Sequence, residues 1–290
     1  MYNDTQKFTS TDMVYLRHPG GPLMMRLYRP AGEGPFPIVI DLHGGAWNTG
    51  DLSGCLVRDE VLVKAGLAVA AIDFRQGAER YPSSLLDINF CIRWLKVKSQ
   101  ALLLDPSRVG LSGQSSGGHL AALAAMRPKD PRYTEIPLES DTDVDASVVC
   151  VALEWPVINP LSRYHHALRS LKNPNTTDWV GEIVEFHHTY WGDEKSMEEG
   201  NPMLALERGE PVETPPTIWL QGKPDIVHDY HDLGSGQTLN EPERFQQNYL
   251  NAGGELDIVH VPQENRSEPD AFECLAKFFL KHLNYGAGLP

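Results

Sequence analysis

The residues best suited to chemistry are Gly113-Gln114-Ser115-Ser116-Gly117, a G-x-S-x-G pattern. A short apolar run precedes the pattern, and an alanine- and leucine-rich segment typical of a helix follows it. Glycines around a serine permit a sharp turn from strand to helix, which raises the hydroxyl above the sheet and frees the next backbone N–H. The pattern therefore predicts Ser115 as a nucleophile and the N–H of Ser116 as a donor to an oxyanion.

A second glycine motif, His43-Gly44-Gly45-Ala46-Trp47, follows the β-branched run Ile38-Val39-Ile40-Asp41-Leu42. Such a run is typical of a strand buried on both faces. Two adjacent glycines can present backbone N–H groups to a cavity because no Cβ stands in the way. We expect Gly44 and Gly45 to form an oxyanion hole together with Ser116.

A carboxylate follows a later predicted strand, which covers residues 215–222. Asp225 comes just past the end of this strand. An aspartate in that position can orient a catalytic imidazole. We therefore take Asp225 as the candidate acid.

The elements needed to position these residues form an α/β pattern. Residues 13–29 predict a β-hairpin, after which helical segments alternate with buried strands up to a last helix at 269–283. This alternation predicts a mostly parallel central sheet with helices on both faces and ligands at the carboxyl ends of the strands. The segment at about 156–190 departs from the alternation and is rich in histidine and aromatic residues. We expect a single domain over 1–290 with a cap or lid at about 156–190 above the nucleophile.

The composition narrows the classes of function. A formal net charge of −14 argues against nucleic acid and anionic membranes as partners. The N-terminus has no signal-peptide pattern and no apolar run reaches membrane-spanning length, so the expected location is cytoplasmic. We expect a small-molecule substrate, no metal and no cofactor, because ligand spacing and a dinucleotide-binding fingerprint are both absent. The oligomeric state stays open, with a homodimer as one alternative.

The cysteines are spread through the chain without a C-x-x-C pair. Each one lies in a largely apolar stretch, which is more typical of small buried side chains than of disulfides or metal ligands. The positions are Cys55, Cys91, Cys150 and Cys274.

Taken in order, the motifs resemble the α/β-hydrolase superfamily, in the esterase branch related to hormone-sensitive lipase, feruloyl and acetyl esterases and kynurenine formamidase. The resemblance covers roughly residues 20 to 285. It implies hydrolysis of esters or amides through an acyl-enzyme, with Ser115 as nucleophile and Asp225 as orienting acid. The residues that carry it are 43–47, Asp73-Phe74-Arg75, Tyr81-Pro82, Asp87, 105–109, 113–120, Gly222 and Asp225.

The chain departs from this branch at the catalytic histidine. Relatives have a segment like P-G-x-x-H-G-F after the last strand, but residues 262–268 read Pro-Gln-Glu-Asn-Arg-Ser-Glu, which puts Arg266 or a neighbour at the histidine position. Arginine stays protonated at neutral pH and cannot accept the proton of a serine. The candidate replacements are His228 and His231 after Asp225, of which His228 is closer in sequence, and four histidines of the cap: His165, His166, His187 and His188.

Three interpretations remain open at this point. The first is a carboxylic ester hydrolase with a degenerate triad and a displaced base, for which we select His228. The second is a non-hydrolytic enzyme, such as a lyase, cyclase or isomerase, in which the oxyanion hole holds an enolate. The third is an inactive small-molecule-binding protein.

Aromatic and histidine side chains supply the candidate substrate contacts. We select Trp47, His188 and Tyr190, because aromatic residues in the predicted cap suggest an aromatic or bulky apolar ligand. The alternative is that these aromatics pack the cap against the sheet.

Overall fold

A computed structural model describes residues 7–139, 143–172, 179–231, 233, 236 and 238–284. Within them lies an eight-stranded sheet in the order β1-β2-β4-β3-β5-β6-β7-β8. The strands are β1 (Phe8–His18), β2 (Gly21–Pro30), β3 (Phe36–Leu42), β4 (Ala68–Ile72), β5 (Leu104–Gln114), β6 (Cys150–Glu154), β7 (Thr217–Lys223) and β8 (Leu256–Pro262).

The first two strands form the predicted hairpin. They pair antiparallel around the turn at Pro19 and Gly20, and β2 also runs antiparallel to β4. All pairings from β4 to β8 are parallel. The parallel strands β3, β4 and β6 are largely apolar and almost wholly buried, and β5 is buried over residues 109–113, as expected for strands covered on both faces.

Helices cover both faces of the sheet. Side chains of α1 and α9 share one apolar core, and those of α2, α3 and α8 share the other. The helices are α1 (Leu56–Lys64), α2 (Ser83–Leu102), α3 (Ser116–Met126), α4 (Pro160–Ser170), α5 (Trp179–Trp191), α6 (Glu194–Glu199), α7 (Pro202–Glu207), α8 (Glu241–Asn251) and α9 (Pro269–Asn284). This arrangement is the α/β-hydrolase fold, and the predicted fold class is confirmed.

Asparagine caps begin several of these helices. Asn159, Asn201 and Asn240 each accept a hydrogen bond from the backbone N–H three residues later, and each precedes a proline at the first or second helical position. The side-chain oxygen satisfies an N–H without a partner inside the helix, and proline needs no such partner.

The segment predicted as a cap follows β6. Its described part contains α4 and α5, whereas residues 173–178 lie outside the described residues. Helix α5 is tied to the body, because Asn48 Nδ2 donates to the Phe186 carbonyl at 2.9 Å and Tyr81 N donates to the Tyr190 carbonyl at 3.0 Å. Whether this segment acts as a lid stays a prediction.

Two further features concern the whole described chain. None of its helices is both long and apolar enough to cross a membrane. The four cysteines are unpaired, with Cys55, Cys91 and Cys150 buried and Cys274 partly buried, as predicted for small apolar side chains.

Candidate active site

Ser115 lies on a sharp turn between β5 and α3. Its φ of 53° and ψ of −116° put a non-glycine residue in a strained region of backbone space. The backbone is held from both directions: Ser115 N donates to the Glu154 carbonyl at 2.9 Å, and Val157 N donates to the Ser115 carbonyl at 3.0 Å. The strained turn is therefore fixed by the end of β6 and the segment after it.

The glycines of the motif permit close approach of the backbone. A Cβ on Gly113 would collide with the Gly117 carbonyl, and a Cβ on Gly117 would collide with the carbonyls of Leu42 and His43. A Cβ on Gly118 would lie 2.8 Å from that of Pro156. Helix α3 can therefore pack against the ends of β3 and β6 because these positions carry no side chain.

A histidine contacts the hydroxyl of Ser115. His228 Nε2 lies 3.1 Å from Ser115 Oγ, and His228 Nδ1 lies 2.9 Å from Asp225 Oδ2. Because an ionised carboxylate only accepts, Nδ1 must carry the proton, which leaves Nε2 as the acceptor for the serine O–H. The three groups form a continuous serine, imidazole and carboxylate chain.

Both ionisable partners have displaced pKa values. Burial lowers the pKa of His228 to about 4, with Arg163 and Arg266 acting in the same direction and Asp225 opposing them. Burial alone would raise the pKa of Asp225, but the hydrogen bonds and charge of His228, the Val227 N–H and the charge of Arg266 bring it down to about 2. At neutral pH His228 is therefore a neutral imidazole beside an ionised carboxylate.

Asp225 is held by five hydrogen bonds. Oδ1 accepts from the backbone N–H groups of Val227 and His228 at 3.0 and 3.2 Å. Oδ2 accepts from His228, from Gln221 Nε2 at 3.2 Å and from Arg266 Nη1 at 2.9 Å. Arg266, noted in the sequence at the usual histidine position, therefore contacts the acid.

The backbone of the Gly44-Gly45 motif comes close to Ser115. An ideal Cβ on Gly44 would be 3.3 Å from Ser115 Cβ, which shows how close this backbone comes to the serine. Gly45 has a φ of 114°, and its carbonyl accepts from Asn48 N and Thr49 N at 3.0 and 3.1 Å in a tight turn. Ser116 is the first residue of α3, so its N–H has no acceptor inside the helix.

The other candidate bases have different partners. His187 is buried and bonded to the Ile183 carbonyl, whereas His188 is exposed and bonded to the Tyr164 hydroxyl. His165 pairs with Glu194, His166 stacks on Tyr230, and His231 is exposed.

The structure corrects two predicted substrate contacts. Trp47 is 1% exposed and Tyr190 is 0% exposed. Trp47 Nε1 donates to His119 Nδ1 at 3.1 Å, and the Tyr190 hydroxyl donates to Ser84 Oγ at 2.9 Å. Both rings belong to an aromatic cluster with Trp191, so they pack α5 against the rest of the fold and present no surface to a substrate. The sequence could not distinguish this packing from a pocket because both use the same residue types.

Sequence reasoning missed two residues that support the loop carrying Asp225 and His228. Arg163 of α4 is buried and donates to the Val227 carbonyl at 3.1 Å. Gln221 bonds to Asp225 and accepts from Trp219 Nε1 at 3.0 Å. A glutamine within a buried apolar strand is a usable sequence signal, since a buried amide needs partners. No such signal marked Arg163.

The described residues contain no group of three or more histidine, cysteine or acidic side chains that could hold a metal ion.

Comparison with known proteins places this chain in a family. The family model described as BD-FAE matches residues 25–231. The chain belongs to the BD-FAE family. The match includes both glycine motifs, Asp225 and His228 and ends before Arg266.

Curated proteins that are similar to this BD-FAE chain are named as esterases. Esterase LipC of Mycobacterium tuberculosis is 36% identical over 226 residues, which cover 76% of this chain and 52% of LipC. Carboxylesterase NlhH of the same organism is 32% identical over 229 residues, covering 69% of this chain and 68% of NlhH. The chain thus spans about half the length of LipC and about two thirds of NlhH.

Solved structures share the fold. Esterase LipW from Mycobacterium marinum superposes with a TM-score of 0.69 at 20% identity, covering 95% of this chain and 82% of LipW. An esterase from Pyrobaculum calidifontis gives a TM-score of 0.71 at 19% identity, covering 96% and 86%.

Proposed function

We propose that this protein hydrolyses carboxylic esters of small molecules through an acyl-enzyme on Ser115, with His228 as the base and Asp225 as the orienting acid. The observation that carries the proposal is the chain of contacts from Ser115 Oγ to His228 at 3.1 Å and from His228 to Asp225 at 2.9 Å. The esterase names of LipC and NlhH support the same reaction class.

Acylation begins with the hydroxyl of Ser115. His228 Nε2 takes the serine proton while Oγ attacks the ester carbonyl carbon, and the carbonyl oxygen becomes an oxyanion. Backbone N–H groups of Gly44, Gly45 and Ser116 stabilise that charge. The tetrahedral intermediate then collapses, its C–O bond breaks, and His228 returns the proton to the departing alcohol.

Deacylation repeats the sequence with water. His228 removes a proton from the water, which attacks the acyl carbon, and the proton is then delivered to Ser115 Oγ as the carboxylic acid leaves. Asp225 stays ionised throughout and stabilises the imidazolium formed in each step. No cofactor is needed in this cycle.

The low pKa of His228 shapes the expected pH dependence. A base with a pKa of about 4 stays neutral in mildly acidic solution. Ester hydrolysis therefore continues at pH values where a histidine of ordinary pKa, about 6.5, is already protonated.

The proposal also concerns the acyl and alcohol groups of the ester substrate. We take the substrate to be small, and an aromatic group on it stays a prediction from the sequence. Comparing kcat/KM for phenyl acetate and ethyl acetate tests that preference.

Hydrolysis of p-nitrophenyl acetate and butyrate tests the function directly. We expect turnover by the wild type and a loss of about 10⁴-fold or more in kcat for Ser115→Ala and His228→Ala. His165→Ala is the matched control: a histidine of α4 that pairs with Glu194, whose loss leaves the contact chain intact. A fluorophosphonate probe labels Ser115 in the wild type and in His165→Ala.

Equal background hydrolysis by wild type and Ser115→Ala would refute the proposal. The non-hydrolytic enzyme and the binding protein would then be the remaining interpretations. Activity that persists in His228→Ala but not in Ser115→Ala would keep the reaction and reject His228 as the base.

A further inference from the structure

Arg266 joins two parts of the candidate site that lie on different strands. Its Nη1 donates to Asp225 Oδ2 at 2.9 Å, and its guanidinium carbon lies 4.5 Å from the centroid of the Trp155 ring. Asp225 follows β7, Trp155 follows β6, and Arg266 itself follows β8. An arginine over an indole face is stabilised by the ring quadrupole and is restricted in orientation.

The surroundings of Arg266 are built to hold it there. A Cβ on Gly222 would lie 3.1 Å from Arg266 Cδ and would collide with the Gln263 side chain. Trp155 is 2% exposed, has a φ of 35° and donates its backbone N–H to the Leu220 carbonyl at 2.8 Å. The stacking surface is thus fixed by β7 and does not move freely with the arginine.

We propose that Arg266 is a positioning residue of this site: clamped on Trp155, it fixes the carboxylate of Asp225 and thereby the ring of His228 against Ser115. This inference rests on the proposed ester hydrolysis. Arg266 acts through Asp225, because its guanidinium is bonded to the acid and carries no lone pair that could accept the serine proton.

The charge of Arg266 has a second effect on the base. The charged groups that face His228 are Asp225 from its own loop, Arg163 from α4 and Arg266 from the turn after β8. Both cations disfavour the imidazolium, whereas Asp225 favours it. Arg266 therefore extends activity towards acidic pH and at the same time makes the imidazolium form of His228 less stable.

The test compares Arg266→Gln with Arg266→Lys in the intact chain. For Arg266→Gln we expect kcat on p-nitrophenyl butyrate to fall about tenfold to a hundredfold, the range for losing a hydrogen bond to a charged group, with KM little changed. The acid limb of the kcat profile should move to higher pH, because a cation near His228 is gone.

Arg266→Lys separates charge from geometry. The ammonium keeps the positive charge, so the acid limb should stay near its wild-type position, while kcat falls because a lysine neither stacks flat on Trp155 nor fixes the carboxylate plane. Arg17→Gln is the control, since it makes the same chemical change at an exposed site in β1 and should leave both measurements unchanged.

A folded Arg266→Gln variant with wild-type kcat and an unmoved acid limb would overturn the inference. The low-field proton resonance of His228 Nδ1–H gives a readout that needs no substrate. This resonance should shift or broaden in Arg266→Gln and keep its wild-type position and width in Arg17→Gln. An unchanged resonance also overturns the inference. Failure of the proposed function can be told apart from failure of this inference, because the wild type itself would then show no turnover that depends on Ser115.

Discussion

Replacing Asp225 by asparagine probes how much of the proposed catalysis depends on the acid. Oδ1 already accepts from the backbone N–H groups of Val227 and His228, so the asparagine oxygen must take that place. Its NH₂ group then faces His228 Nδ1. The imidazole has to accept at Nδ1 and carry its proton on Nε2, where it can no longer accept the proton of Ser115.

The size of the effect follows from the geometry. The carboxylate and imidazole are bonded at 2.9 Å, which puts their charge centres about 4 Å apart. At an effective dielectric constant near 20, unit charges about 4 Å apart attract by about 4 kcal/mol, close to a factor of 10³ in rate. The wrong tautomer adds a further factor, so we expect kcat to fall about 10⁴-fold, as in serine proteases that lose this charge.

The assay is steady-state hydrolysis of p-nitrophenyl butyrate near neutral pH, with thermal unfolding measured alongside. Asp229→Asn is the matched control, because Asp229 lies four residues further along the same loop and bonds to Asn240. We expect that variant to stay within a few-fold of wild type. An Asp225→Asn enzyme that folds and keeps a tenth of wild-type kcat would refute the reasoning, since neither the tautomer nor the charge would then matter.

Three other expectations concern stability. Arg58→Met should destabilise the fold by about 3–5 kcal/mol, because Arg58 lies buried between Asp41 and Glu154 and the ionised carboxylate of Asp41 would lose its counter-ion. Gly117→Ala should lower the melting temperature, because its methyl group meets the His43 carbonyl. The free energy of unfolding should also fall as the pH drops from about 6.5 to about 4. The buried histidines responsible are His119, His187 and His228, with pKa values of about 4, 3 and 4.

The sign of the pH effect follows from proton binding. Burial lowers the pKa of each histidine in the folded chain, so in this pH window the unfolded chain binds protons that the folded chain does not. Each group can cost up to about 3 kcal/mol by pH 4. Urea unfolding at three pH values measures the slope, and a flat profile would contradict the expectation. The expectations for Arg58→Met and Gly117→Ala would be contradicted by melting temperatures within 1–2 °C of wild type, because shifts of that size are typical of small surface changes.

Much of the fold could be predicted from local sequence. Strand runs such as Ile38-Val39-Ile40 are apolar on both faces, and only a parallel sheet under two helical layers accommodates them. Gly113 and Gly117 predicted the turn, and the structure gives the reason for them: a Cβ at either position would collide with backbone. Asp225 could be selected by its position after a strand.

The base could be narrowed only to six histidines, because the contact with Ser115 spans 113 residues of sequence. His228 was favoured for its nearness to Asp225, and local spacing is what brings those two side chains together. Arg266 or a neighbour was noted at the position of the missing histidine, but the contact of Arg266 with Asp225 depends on how β8 packs beside β7, which no local pattern encodes. Trp47 and Tyr190 were misassigned because burial cannot be read from residue type.

The acid and the base lie three residues apart in one loop, while their clamp comes from a different strand. Strand β8 ends the sheet order, and local opening of an edge strand costs less free energy than global unfolding. Such an opening would withdraw Arg266 but leave Asp225 bonded to His228 within their own loop. Local opening of this edge should therefore lower turnover gradually. Hydrogen exchange in β8 and the catalytic rate should then vary together as the temperature is changed.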